Sequence, residues 1–476
     1  MILTLDLGTS ATKAALWSGD ELVALGRGPI ETEHPQPGWA EQDPVGWWSS
    51  VVQACARARA AAPGEYERVE AIGFSAARET FTLVDGSLEP LRTGIVWSDG
   101  RAHAEAEELA ERWGSPERAR ARTGVVLNAA TCAAKVTWVA RHQPEVMRRA
   151  RWILAPRDLV VARLTGEVVT DPSLASRTGA YALDGSWMPG ATELVGERLP
   201  PVRPSVSVVG VVLREPAGEL GLPDRTVPVV LGAGDRACEV LGAGASTAAP
   251  MVSWGTTTNV SVPLAVDAAA LPTMAAVSFG ALGGYVLEAG LSASGAALAW
   301  LASLTRRTYE ELLEGAAHVP PGVGGLIALP WLHGARAPWW RPEARAAFTG
   351  LSGAHGPAEL ARAVVEAVAL DVARCLELVA PEASELALAG GGAESALWRE
   401  VLAAVTARPL ARRRLDEAAS VGARIVVGAA LGNPVELDTV NPVVERIEPD
   451  AGLEERYRGV RVASDAAAAA VLGSGG

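Results

Sequence analysis

Asp235 is the carboxylate whose sequence setting best suits chemistry. Residues 229–235 read VVLGAGD, so three apolar residues run into a Gly-x-Gly-Asp turn. An Ala/Val/Leu segment follows and breaks at Gly242 and Gly244, which predicts a buried strand, a tight turn and a helix. In open α/β sheets, ligands bind at this carboxyl end of the strands. Asp235 is therefore either a helix cap or a proton acceptor.

Two loops rich in glycine and hydroxyl side chains could bind phosphate groups. The first, residues 8–13, reads GTSATK and joins two predicted strands at residues 2–7 and 14–17. Its N–H groups, its hydroxyls and the Lys13 ammonium can face a phosphate chain. Asp6 points at the same place, where it could hold a hydrated Mg²⁺. An ordinary polar hairpin turn is the alternative.

A second loop of the same kind suggests an internal duplication. Residues 251–262 read MVSWGTTTNVSV, again a strand, a Gly-Thr-rich turn and a strand. Because the two copies lie about half a chain apart, they indicate a duplicated domain. We expect the two loops to face each other across a cleft.

Four side chains could form a wall that binds a polyol. Arg78 and Glu79 follow a predicted strand at residues 69–75, and Trp97 and Asp99 lie at the end of another. The charged groups could bind hydroxyls, and the indole could cover C–H groups. The alternative, which these residues alone favour, is a surface salt bridge plus a core tryptophan.

A triple glycine at residues 390–392 separates a predicted strand at 386–389 from a helix that continues through Trp398. Such a turn lets a flat ring lie on the backbone, which makes it a candidate adenine site. A tight packing turn is the alternative. Other helices are predicted from Pro44 through Cys55 and from Pro357, and a loose, fraying helix from Ser464.

Length and composition limit the classes of protein. A chain of 476 residues suggests two or three domains, and a net charge of −13 argues against a nucleic-acid partner. The four cysteines form no close pair, so neither a zinc site nor a disulfide framework is expected. No signal peptide and no membrane span are recognisable. We therefore expect a cytoplasmic protein.

Together these segments resemble the FGGY carbohydrate kinases, members of the actin-like ATPase superfamily, and among them most closely the xylulokinases. The resemblance runs from Asp6 to Gly432. The segments that carry it are DLGTS at 6–10, EQDP at 41–44, WSDGR at 97–101, LPWLHGARAP at 329–338 and GGGAES at 390–395.

The resemblance implies an α/β fold with two actin-like (ribonuclease H-like) ATPase domains flanking a deep cleft. The expected bounds are residues 1–245 and 246–435, with a carboxyl-terminal extension at 436–476.

The implied activity is ATP-dependent phosphorylation of a hydroxyl of a small sugar, first of all a pentulose such as D-xylulose. A glycerol or other polyol kinase is the alternative within the class. An actin-like ATPase without sugar kinase activity and a catalytically dead sugar sensor are the rivals outside it. The resemblance admits a homodimer.

The resemblance also implies roles for individual residues. Asp235 matches the catalytic base, and Asp6 would be the Mg²⁺ ligand. The residues that match the ATP-binding motifs are Thr9, Ser10, Thr12 and Lys13 in the first phosphate loop, Gly255, Thr256 and Thr257 in the second, and Gly391, Gly392 and Ser395 at the nucleoside.

Three departures from the xylulokinase pattern leave the acceptor open. Arg78-Glu79 stands where xylulokinases have Met-His, and it is similar to glycerol kinases instead. Arg236 replaces the usual Asn or Gln after the base, and Ala335 replaces the acidic residue of a Gly-Glu-Arg block. The arginines at the expected sugar site could also favour an acidic substrate.

Overall fold

Two seven-stranded sheets organise the computed structural model, which describes residues 1–189, 196–265 and 275–473. The strands are β1 (Ile2–Leu7), β2 (Ala11–Ser18), β3 (Glu21–Pro29), β4 (Glu41–Gln42), β5 (Ala71–Ala76), β6 (Thr82–Val84), β7 (Gly94–Ile95), β8 (Trp152–Leu154), β9 (Val208–Val211), β10 (Pro228–Val230), β11 (Ala233–Gly234), β12 (Met251–Trp254), β13 (Thr258–Leu264), β14 (Ala276–Phe279), β15 (Tyr285–Leu291), β16 (Ile327–Leu329), β17 (Ala347–Thr349), β18 (Leu386–Ala389), β19 (Leu410–Arg413) and β20 (Val443–Ile447).

The helices within the described residues are α1 (Pro44–Ala61), α2 (Pro63–Tyr66), α3 (His103–Arg112), α4 (Pro116–Thr123), α5 (Cys132–His142), α6 (Pro144–Arg149), α7 (Pro156–Thr165), α8 (Pro172–Arg177), α9 (Arg214–Leu220), α10 (Asp235–Gly242), α11 (Gly295–Thr305), α12 (Tyr309–Ala317), α13 (Pro357–Val379), α14 (Ala396–Thr406), α15 (Ala418–Ala430), α16 (Leu437–Val440) and α17 (Ala451–Gly473). None of them is long and apolar enough to cross a membrane.

The first sheet has the order β3-β2-β1-β5-β10-β9, and β11 also pairs with β5. Strands β1, β5 and β11 are parallel, and every residue of β1 and β5 is buried. The register pairs Asp6 with Ser75 and Gly234 with Ala76. The residues that follow these strands therefore meet at one edge of the sheet, as the strand-end argument predicts.

The second sheet repeats the central arrangement of the first. Its order is β14-β15-β13-β12-β18-β19-β20. Hairpin β12–β13 lies beside the parallel strand β18, just as hairpin β1–β2 lies beside β5. The predicted duplication and the two-domain α/β fold are thus confirmed.

The predicted helices are present, and two of them extend beyond the prediction. Asp43 caps α1 by accepting the N–H of Val45, and this helix continues to Ala61. The carboxyl-terminal helix was expected to be loose from Ser464, but α17 already begins at Ala451. An ion pair of 2.6 Å between Arg374 and Asp465 ties it to α13. The last three residues of the expected tail, 474–476, lie outside the described part of the chain.

Candidate active site

Asp235 lies at the shared strand edge with its carboxylate partly open to solvent. Gly232, at φ 73°, makes the turn before it. Gly234 is the N-cap of α10 and Asp235 its first residue, so Asp235 is not the N-cap residue itself, although its carboxylate accepts an N–H group of the first turn. Asp235 Oδ1 accepts the N–H of Arg236 at 2.6 Å and lies 3.1 Å from Arg78 Nε. With 39% of its side chain exposed, the carboxylate is oriented and accessible, as a proton acceptor must be.

Arg78 connects Asp235 to the second sheet. Its two terminal nitrogens donate to both oxygens of Glu288 on β15, at 2.7 and 2.9 Å. Burial alone would raise the pKa of Glu288, but the Arg78 guanidinium outweighs it and holds that pKa far below its usual range. Both terminal nitrogens of Arg78 are therefore occupied in this structure, and the expected fork toward a substrate diol is directed at Glu288 instead.

Glu79 is half-buried and is held by a neighbour that the sequence did not indicate. Its Oε1 accepts from Arg177 Nη2 at 2.8 Å. Its backbone has φ 61°, and its carbonyl accepts from the buried Lys135 ammonium at 2.8 Å. Lys135 also donates to the Val96 carbonyl at 2.9 Å, so it joins the two loops of the expected wall.

The structure separates Trp97 from Asp99. Trp97 is 40% exposed in the cleft, and its Nε1 donates to Thr9 Oγ1 at 2.9 Å, so it is not a core residue. Asp99 is fully buried. Its Oδ2 accepts the Ala40 N–H at 2.6 Å and an N–H of Arg101 Nη2 at 2.7 Å, and its Oδ1 accepts the N–H of Arg101 Nε at 2.9 Å. The prediction that Asp99 binds substrate is wrong, because both of its oxygens are occupied inside the protein.

In the first loop, neighbouring residues of β2 face opposite sides. Lys13 lies beside Asp6, with 3.9 Å between Nζ and Oδ2, and it pairs with Glu417 at 2.5 Å. Thr12 faces the other way, fully buried, and exchanges a hydrogen bond of 2.6 Å with Ser50 on α1. Its side chain therefore cannot contact ATP, which corrects the sequence prediction. Ser10 is exposed at the loop.

The second loop and the triple glycine line one cavity of about 360 Å³. Gly255, Thr256, Gly391, Gly392 and Ser395 all border it. Ala296, Ala299 and Tyr309 add an apolar and aromatic wall that the sequence analysis missed. Thr257 closes the loop through its carbonyl, which accepts the Gly255 N–H at 3.0 Å.

The glycines of the triple glycine differ in their surroundings. Gly390 has φ 82°, and a Cβ on it would lie 2.4 Å from the Trp254 carbonyl oxygen, so this position is a tight packing turn. A Cβ on Gly391 would meet no protein atom within 4 Å, so this position faces open space. Ser395 caps α14 by accepting the N–H of Trp398.

Arg236 follows Asp235 and contacts two further carboxylates. Its Nη1 pairs with Glu239 at 2.5 Å, and its Nε lies 3.8 Å from Glu288. Burial raises the pKa of Glu239, and Asp235 adds to this while Arg236 opposes it. Glu239, Glu288 and Glu417 were missed by sequence reasoning. The only local signal for Glu288 was one carboxylate in an otherwise apolar strand.

Comparison with known proteins agrees with this geometry. The model of the FGGY carbohydrate kinase N-terminal domain matches residues 1–242, and that of the C-terminal domain matches residues 251–431. A xylulose kinase of Escherichia coli K12 is 34% identical, with 96% of each chain covered. A glycerol kinase of Thermus brockianus is 31% identical, with 98% of each chain covered.

Comparison with solved structures also points to sugar kinases. The crystal structure of a xylulose kinase from Rhodospirillum rubrum superposes with a TM-score of 0.88 at 29% identity, over 99% of this chain and 98% of that one. Both domain models match in chain order, the relatives match over nearly their whole length, and the two sheets repeat one arrangement. The chain therefore belongs to the FGGY family of carbohydrate kinases.

Proposed function

We propose that this chain transfers the γ-phosphoryl group of ATP to a hydroxyl of a small polyhydroxy acceptor bound beside Asp235. The observation that carries the proposal is the accessible Asp235 carboxylate, which shares one sheet edge with Asp6 and the first Gly-Thr loop. Asp235 accepts the hydroxyl proton while the acceptor oxygen bonds to phosphorus. Since phosphoryl transfer needs mainly positioning and charge stabilisation, the remaining residues act by binding and orientation.

The donors of the two loops and Lys13 are proposed to bind the phosphates, and the cavity at Gly391 the adenosine. The apolar wall of Ala296 and Ala299 and the Tyr309 ring suit a flat base. Trp97 is positioned by its hydrogen bond to Thr9, so the acceptor wall and the phosphate loop are directly connected.

Asp6 fits the role of a Mg²⁺ ligand. Burial raises the pKa of Asp6, the Lys13 ammonium lowers it only in part, and the Asp235 carboxylate raises it further. A cation bound beside Asp6 would therefore stabilise its ionised form. Among the described residues, no group of three or more His, Cys, Asp and Glu side chains could hold a metal by itself. Mg²⁺ in phosphoryl-transfer sites is instead held by one or two carboxylates together with phosphates. Bound there, it would neutralise charge on the phosphate oxygens.

Among neutral acceptors, D-xylulose is the first candidate, because the xylulose kinases named above resemble this chain over their whole length. Glycerol or another polyol is the second candidate, favoured by Arg78-Glu79 in place of Met-His. The hypothesis of an actin-like ATPase without an acceptor is not supported, since the family is one of carbohydrate kinases. We place the reaction in the cytoplasm, where ATP is available and the four cysteines, all free and buried, would stay reduced.

The proposal is tested by incubating the protein with ATP, Mg²⁺ and one acceptor at a time: D-xylulose, D-ribulose, glycerol or erythritol. Mass spectrometry should detect a monophosphate of at least one acceptor, with D-xylulose foremost among them. ADP without any phosphorylated acceptor would refute the proposal.

ATP and acceptor together are expected to close the cleft. They bind to different walls, so joint occupancy favours the conformation in which both walls contact ligand. Small-angle scattering should give a smaller radius of gyration with D-xylulose plus a non-hydrolysable ATP analogue than with either ligand alone. An unchanged radius at saturation would contradict closure.

Gly391→Val is expected to raise the KM for ATP by about tenfold or more, the worth of a lost or displaced binding contact. A Cβ on Gly391 meets no protein atom within 4 Å, so the valine side chain would extend into the space assigned to the nucleoside. The melting temperature should stay near wild type. Gly86→Val is the matched control, because its Cβ also meets nothing within 4 Å but lies outside the cleft. An unchanged KM for ATP would remove Gly391 from the nucleotide site.

A further inference from the structure

A buried cluster of charged side chains holds the turn that leads into Asp235. Arg157, the second residue of α7, is fully buried. Its Nη1 donates to the carbonyl oxygens of Leu231 and Gly232, at 2.8 and 3.1 Å. These two residues lie directly before β11, which ends at the residue preceding Asp235. Arg157 therefore restrains the carbonyl groups of the turn.

Two buried carboxylates balance the Arg157 guanidinium. Asp158 Oδ1 accepts from its Nε, and Asp171 Oδ1 accepts from its Nη2, both at 2.8 Å. Asp171 is also the N-cap of α8. Its second oxygen, Oδ2, accepts the N–H of Ser173 at 2.9 Å and the Ser173 hydroxyl at 2.5 Å. The direction in which this hydroxyl donates its proton is thereby fixed.

Ser173 restrains the N–H side of the same turn. Because its hydroxyl donates its single proton to Asp171, its lone pairs remain available to accept. The Gly234 N–H donates to this oxygen at 2.7 Å. Gly234 is the N-cap of α10 and directly precedes Asp235, and both Ser173 and Gly234 are buried. The backbone immediately before the proposed base thus has a fixed partner.

Helix α8 joins this turn to the expected acceptor wall. Ser173 and Arg177 are four residues apart and therefore lie on one face of the helix. Ser173 accepts the Gly234 N–H, and Arg177 donates to the Glu79 carboxylate at 2.8 Å. One helical turn therefore sets the spacing between the segment before Asp235 and the loop that carries Glu79.

We propose that Ser173 is a positioning residue for the Asp235 carboxylate and acts through the Gly234 N–H. Residues 232–234 read Gly-Ala-Gly, so the turn has almost no side chain of its own that could fix its path. Ser173 supplies that restraint, and the Arg157–Asp171 pair keeps its hydroxyl oriented. This inference rests on the proposed function, because it assigns Ser173 a role in phosphoryl transfer to the acceptor hydroxyl.

The test is Ser173→Ala, measured by steady-state kinetics with ATP, Mg²⁺ and whichever of D-xylulose, D-ribulose, glycerol and erythritol gives the highest wild-type turnover. We expect kcat to fall by about 10- to 100-fold, since displacing a reacting group by about 1 Å can cost 10²-fold. The KM for ATP should stay near wild type. Ser173→Thr retains the hydroxyl and should keep most of the activity.

Ser205→Ala is the matched control. Ser205 is buried like Ser173, and its hydroxyl donates to the same Asp171 oxygen at 2.9 Å. It contacts the turn through its backbone carbonyl, which accepts the Gly232 N–H and remains in alanine. The melting temperatures of the two alanine variants should fall by similar amounts, but kcat should fall only in Ser173→Ala. An equal loss of kcat in Ser205→Ala would overturn the inference.

A double-mutant cycle separates positioning of the base from general loosening of the fold. In Asp235→Asn the base is already absent, so adding Ser173→Ala should change kcat by less than about threefold. A further loss of about tenfold would show that Ser173 does not act through Asp235 and would overturn the inference, leaving the kinase proposal standing. Ser173→Cys, whose thiol accepts only weakly, carries the same test if Ser173→Ala fails to fold. Absence of any phosphorylated acceptor with the wild-type protein would instead refute the proposed function, and this inference with it.

Discussion

Asp235→Asn is expected to lower kcat by about 10²- to 10⁴-fold, the usual contribution of general-base catalysis. The substitution nearly preserves the shape of the side chain and its contacts with Arg78 and the Arg236 N–H, but it removes the basic oxygen. Because the transition state is loose and the proton moves late, the loss should fall on rate rather than on binding. The affinity for ATP, measured by calorimetry, should stay near wild type.

Glu239→Gln is the matched control for this variant. Glu239 lies one turn farther along α10 and is a rival base, since it interacts electrostatically with Asp235 and burial raises its pKa. Its carboxylate is paired with Arg236, so we expect its loss to lower kcat by less than about tenfold, below the range of a general base. If Glu239→Gln lost more activity than Asp235→Asn, the base would have been assigned to the wrong residue.

Arg78→Met is expected to lower the melting temperature, since removing one partner of a buried ion pair costs about 3–5 kcal/mol of folding stability. It is also expected to lower kcat/KM for the acceptor by about 10- to 100-fold, the effect of losing one hydrogen bond to a charged group. The substitution leaves Glu288 buried without two of its donors and removes the group that orients Asp235. ATP affinity should change little, because the expected ATP contacts lie on other loops. Steady-state kinetics and the melting temperature would be measured together.

The double variant Arg78→Met/Glu288→Gln separates the two effects. It removes the unpaired charge, so it should recover much of the lost stability but not the activity. Arg141→Met is the surface control, because Arg141 is 45% exposed in its pairs with Glu105 and Glu108. Unchanged acceptor kinetics in Arg78→Met would remove the Arg78–Glu288 pair from the site.

The local pattern of glycine and apolar residues was enough to predict the central carboxylate and both hairpin loops. The Gly-x-Gly-Asp turn predicted a strand, a turn and a helix, and Asp235 begins that helix. The repeated Gly-Thr turns predicted a duplication, and each lies in the central hairpin of its sheet. These features depend on short segments whose glycine and apolar spacing determines the backbone path.

Side-chain direction and contacts between distant segments could not be predicted in this way. Thr12 and Lys13 belong to one motif, but neighbouring residues of a strand face opposite sides, and only Lys13 lies beside Asp6. Asp99 accepts from Ala40, which is 59 residues away, and Arg78 pairs with Glu288 across 210 residues. Pairing at such distances is set by how the sheets pack and not by any local signal.

Dependence of ADP release on an acceptor separates a carbohydrate kinase from an ATPase. It is measured with the wild-type protein, ATP and Mg²⁺ in a coupled assay, with and without D-xylulose, glycerol and gluconate. We predict that at least one acceptor raises ADP release well above the rate with ATP alone and that Asp235→Asn abolishes most of this increase. Equal ADP release with and without every acceptor would contradict phosphoryl transfer to a hydroxyl bound beside Asp235.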